Sequence, residues 1–88
     1  MPYVKNIRRL TDREAQALPM ADNAGELNYL ITALIVRHLT AHDLNYQTIN
    51  DIVGALEGAK AEFQRRVVAP FEDNKIVENG DVYPAWSV

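Results

Sequence analysis

Between Gly25 and His42 the chain reads GELNYLITALIVRHLTAH, and no other run narrows the possible folds as much. Stepped at about 100° per residue, Leu27, Leu30, Ile31, Leu34 and His38 fall on one side of a helix, while Tyr29, Ala33, Val36 and Thr40 fall on another. A helix that is apolar nearly all round must be covered on two sides. An 88-residue chain has little to cover it with. A domain of this size buries only about 60–65% of its unfolded surface, and the absence of cysteine removes disulfides and thiolate metal sites as staples. Another copy of the same chain is the simplest staple, so a homo-oligomer is expected.

Local signals place the other elements. Thr11 followed by Glu14 has capping-box spacing, predicting a short helix through Leu18 that Pro19 ends. Asp22 or Asn23 caps the apolar helix. After the break at Asp43-Leu44-Asn45, Asn45 caps a long helix from Tyr46 to about Ala69, closed by Pro70 because proline disfavours helical geometry at the residue before it. Asn79-Gly80 then stands between Ile76-Val77 and Val82-Tyr83, the strongest short signal for a β-hairpin with a type I′ turn. The expected fold is one all-α domain: two long antiparallel helices plus a short N-terminal helix, with a small C-terminal β-hairpin. Its parts are an arm and short helix over 1–21, a helical hairpin over 22–70 and an aromatic tail over 71–88.

On the second long helix Ile49, Ile52, Val53, Leu56, Phe63 and Val67 form one stripe, read as the core face, and Lys60 falls inside it. The opposite face carries Gly54, Gly58, Ala61 and Arg65. Glycine in a helix interior costs roughly 0.5–1 kcal/mol against alanine, so two glycines there suggest that another backbone approaches closely. The expected oligomer is assembled through that face.

A net charge of −3 argues against a protein that coats a nucleic-acid polymer by neutralising phosphates. The apolar run Leu30 to Val36 is far shorter than the ~20 residues of a membrane span, and Met1-Pro2-Tyr3 does not open a secretory signal. The expected location is the cytoplasm, with no membrane partner.

Catalytic signatures are missing: there is no glycine-rich phosphate loop, no GxSxG elbow and no HExxH. His38 and His42 are spaced i,i+4 on one helix, but a metal site needs a third ligand, and His38 among leucines and isoleucines reads more naturally as a hydrogen-bonded core histidine. Neither a metal nor a cofactor is expected. Lys60 can lay its stem on the core edge with its ammonium in water, or hold a cation at the lip of a pocket. Pairing of Glu57 with Lys60, and of Glu62 with Arg65 or Arg66, accounts for much of EGAKAEFQRR as solvated surface. Arg65-Arg66 is nevertheless followed closely by Phe71, then by Tyr83 and Trp86. Arginine forks grip phosphate or carboxylate and aromatic faces stack on bases, so the set suits a small anionic nucleotide-like ligand bound by Arg65, Arg66, Phe71, Tyr83, Lys60 and Glu57. The alternative is that the aromatics only pin the tail to the helices. An enzyme using Glu57, Glu62 or Asp81 is a third reading.

ELNYLIT at Glu26–Thr32, NYQTINDIVGALEGAKAEFQRRVVAPFED at Asn45–Asp73 and KIVENGDVY at Lys75–Tyr83 resemble a domain-of-unknown-function family of small proteins met in tailed-phage genomes, prophages and metagenomes. Members of that family often carry Tyr where this chain has Phe71. The resemblance implies a phage-like origin and host cytoplasm, and brings no activity with it. The function expected is a non-enzymatic sponge that sequesters a nucleotide-like ligand, such as a host immune signal, by analogy of size and setting; the alternative is an interaction module that inhibits or scaffolds a host or phage protein.

Overall fold

A computed structural model describes residues 4–5 and 8–84, and every regular element among them is helical. The order is α1 (Asp12–Gln16), α2 (Ala24–His42), α3 (Tyr46–Phe63), a π turn (Gln64–Val68) and α4 (Ala69–Asn79). The chain divides into two units, Met1–Ile52 and Val53–Val88.

In the first unit the capping chemistry read from the sequence is formed. The Thr11 hydroxyl accepts from the Glu14 backbone N–H at 3.2 Å, and the Glu14 carboxylate accepts from the Thr11 N–H at 3.0 Å. The backbone hydrogen bond from Thr11, and secondarily its side chain, hold the Glu14 pKa below the ordinary glutamate value. A depressed carboxylate pKa contributes stability above its unfolded pKa and loses it as pH falls through the folded one. Acidification below the usual glutamate range should therefore fray α1, and Glu14→Gln should remove that pH dependence, both read from the amide shifts of residues 12–16.

α2 starts at Asn23, whose Oδ1 accepts from the Glu26 N–H at 2.9 Å. Thr32 and Thr40 donate their hydroxyls to the carbonyls of Asn28 and Val36, each at 2.9 Å, which satisfies the polar atoms on an otherwise apolar helix. The helix ends at Asp43, the one non-glycine residue with positive φ among the described residues, at φ 66° and ψ 157°. That region is almost reserved for glycine and costs about 1–3 kcal/mol elsewhere. The corner is tied by Thr48, whose N–H donates to Asn45 Oδ1 at 2.9 Å and whose hydroxyl donates to the His42 carbonyl at 3.2 Å. Asp43→Gly should raise unfolding stability by about 1 kcal/mol, the strain relieved less the extra backbone entropy of glycine; chemical denaturation measures it, and an unchanged midpoint would show that the corner is not strained.

In the second unit the chain departs from its sequence reading twice. Pro70 does not end a helix. A proline ring at a regular α-helical position strikes the carbonyl four residues earlier, here that of Arg66, and leaves it without a donor. The backbone widens instead into the π turn, where the Ala69 N–H reaches back five residues to the Gln64 carbonyl, and α4 follows directly with Pro70 in its first turn. The second departure is the hairpin, which is absent: Ile76-Val77 are the last turn of α4, and Gly80 closes the helix at φ 85°, its N–H donating to the Ile76 carbonyl at 2.8 Å. Both a type I′ turn and a helix stop need positive φ at glycine. The helix wins because an isolated two-stranded hairpin is marginal in water, whereas α4 adds a full ladder, the Lys75 ammonium 5.4 Å from the Phe71 ring centre, and a 3.3 Å Lys75–Glu78 pair.

Neither unit encloses a core. Among the described residues no hydrophobic side chain is buried, and Thr48, at 4% exposure, is the only buried polar one. Of the stripe Ile49, Ile52, Val53, Leu56, Phe63 and Val67, read as a core face, Ile52 is half-buried and the other five are exposed.

Candidate interaction surface

The first unit has an apolar groove of about 490 Å³ between the Leu18-Pro19 segment and one face of α2, contributed by Leu27, Leu30, Ile31, Ala33, Leu34 and Arg37. Asn23 and Glu26 start α2 at a fixed residue, so Leu27, Leu30 and Leu34 lie on successive turns of one face, as the 3.6-residue period requires. Leu34 remains 69% exposed and Leu27 54%. At the C-terminal end of that face stands Arg37, with no hydrogen bond or ion pair among the described residues. At the N-terminal end stands Glu26, whose carboxylate accepts from the Asn23 side chain at 2.9 Å and the Asp22 N–H at 3.4 Å. A carboxylate has about four acceptor positions, so Glu26 can still receive an arginine.

His38 and His42 lie farther along α2, both exposed, so His38 is not the core histidine expected. Their rings stack with centroids 4.1 Å apart, and Nδ1 of His42 donates to the His38 carbonyl at 2.9 Å. No cluster of three or more metal-ligating side chains occurs among the described residues.

The six residues read as ligand-binding are distributed along the second unit. Glu57 and Lys60 are exposed on α3. Arg65 and Arg66 both sit in the π turn, and the Arg65 guanidinium donates to both Glu62 oxygens, at 3.0 and 3.3 Å. Phe71 lies under the Lys75 ammonium. Tyr83 lines a groove of about 290 Å³ with Glu72, Lys75, Ile76, Asn79, Gly80, Asp81 and Val82, which does not include the other five. Glu72 and Asp81 put two carboxylates on its walls, and Lys75 there is paired with Glu78. Trp86 lies outside the described residues. Within the chain, a Cβ added at Gly54 would meet nothing within 4 Å, so the glycine face expected to assemble the oligomer is open there.

Sequence reasoning passed over Arg37 and Leu18. The signal for Arg37 is the heptad spacing Leu27, Leu30, Leu34, Arg37, in which the cation occupies the position Leu30 holds one heptad earlier. Leu18 gave none, because it joins the groove through the turn at Pro19 and not through a helical period.

No helix among the described residues is long and apolar enough to cross a membrane. No curated protein and no solved structure matches the chain. The family profile described as "Domain of unknown function (DUF6899)" matches residues 1–82, nearly the whole length, and the chain belongs to that family.

Proposed function

We propose that the protein is a non-enzymatic protein-interaction module whose helical faces are completed by association with protein. One observation carries this reading: a chain in which 48% of residues are hydrophobic buries none of the described hydrophobic side chains by itself. Monomeric soluble proteins rarely expose contiguous apolar patches of more than a few hundred Å², and larger ones mark interaction sites. The setting proposed, the cytoplasm of a phage-infected host, rests on the resemblance of the sequence blocks to phage-borne proteins alone. The test is light scattering of the purified protein beside mass spectrometry of what heat denaturation releases. A mass above 9.9 kDa with no released nucleotide is expected; a monomer whose amides exchange slowly and which releases a nucleotide would overturn the proposal.

A second reading, sequestration of a small anionic nucleotide-like ligand, is favoured by the position of Arg65 and Arg66 inside a single π turn, a feature that recurs at functional sites. On that reading Arg66→Gln should weaken binding of a nucleotide by roughly 1.5–3 kcal/mol, the worth of a charge-assisted hydrogen bond. Calorimetric titration with cyclic and linear nucleotides decides it, and absence of binding by the parent protein removes it.

A further inference from the structure

We infer that the α2 groove is the seat of a second copy of the chain, and that the two α2 helices pair antiparallel with Glu26 of each facing Arg37 of the other. The inference rests on the interaction-module reading and names its first partner.

Three observations converge on it. Leu27, Leu34 and Ala41 recur at one heptad position and Leu30 and Arg37 at another, the spacing that lets two helices interlock along a seam. The leucines of that seam are accessible in the lone chain, and the groove beside them is closed on one side only, by Leu18 and Pro19. The charges then select the occupant and its direction. Glu26 and Arg37 are eleven residues apart, which is about 1100°, or three turns plus about 20°, so both stand on the same flank of the seam at opposite ends of the groove. In an antiparallel pair related by a two-fold axis, a flank meets the same flank of its partner with the ends exchanged. Glu26 therefore meets Arg37 of the other copy, and the contact occurs twice. A parallel pair sets that flank against the opposite one and leaves both Arg37 side chains without a carboxylate. Arg37 makes no ion pair within its own described surroundings, which this arrangement supplies.

Ala33, on the Glu26–Arg37 flank, has the small side chain that close approach of two helices requires.

The test is sedimentation equilibrium of the full chain and its variants, with circular dichroism to follow helicity. The parent protein should sediment as a dimer, or as an assembly of dimers, that Leu34→Glu dissociates. Arg37→Glu alone places Glu against Glu, and Glu26→Lys alone places Lys against Arg, so each should weaken association about tenfold. Mixed one to one, the two variants reconstitute both opposite-charge contacts, and affinity should return to within about threefold of the parent. A loss caused only by removing the Glu26 cap would not be rescued by mixing, and that result would overturn the antiparallel pairing. Association unchanged by Leu34→Glu would overturn the groove as the seat while leaving the interaction-module reading standing. A parent chain that is monomeric at about 100 μM and fully helical would overturn both.

Discussion

Diluting the protein a hundredfold should lower its apparent stability by about 2.7 kcal/mol and its melting temperature by roughly 5–10 °C. The effect follows from mass action. When the folded state is an assembly and the unfolded state is a single chain, each tenfold dilution shifts the balance by about 1.4 kcal/mol per dimer. For a folding unit of two such chains each kcal/mol corresponds to about 2–4 °C. The lone chain has little to resist dilution with: its seam leucines are accessible, Thr48 is the one buried residue among those described, and most of the described hydrogen bonds outside the helical ladders are local caps and turns. Isolated helices of the length of α2 are marginal in water without tertiary cover. Thermal melts by circular dichroism at about 1 and 100 μM measure it directly. A melting temperature independent of concentration would mean that the chain folds alone, and the proposal of a surface completed by protein would fail with it.

Pro70→Ala should raise stability by about 1–3 kcal/mol. Proline in a helix interior costs about 3 kcal/mol against alanine, and the π turn from Gln64 to Val68 relieves the steric part of that cost without restoring the missing donor. Alanine supplies the N–H and removes the ring. If Pro70 merely opened an independent helix, where proline is favoured, the substitution would be neutral or slightly destabilising. The sign of the change in the denaturation midpoint separates the two. A geometric consequence accompanies it: a π turn holds one residue more than an α turn, so its reversion rotates α4 by about 100° relative to the end of α3. Phe71 and Lys75 then move away from their present register with Arg65 and Arg66. Association through α2 should survive this variant, whereas any recognition that uses the arginines together with α4 should weaken.

The chain's caps were legible because they are contacts between residues two to four apart. Thr11 with Glu14, Asn23 with Glu26 and Asn45 with Thr48 are set by local geometry, and each forms as its spacing predicts. Pro70 and Gly80 were misread for a common reason. Each is a local signal with two structural solutions, helix start or π turn for the proline, hairpin or helix stop for the glycine, and the choice depends on the relative stability of the flanking segments in each arrangement. Which way the side chains of the ligand set point is not legible in residue type and proximity: Arg65 pairs with Glu62, and the Lys75 ammonium lies over Phe71.

By itself, then, the sequence determined that the protein is helical, where its caps lie and which helix faces are apolar, since all three follow from short-range sterics and the helical period. The path through Pro70, the fate of Asn79-Gly80 and the exposure of the apolar faces were decided only in the tertiary structure. An amphipathic pattern states that a surface must leave water, and only three-dimensional packing determines whether the chain itself supplies the cover.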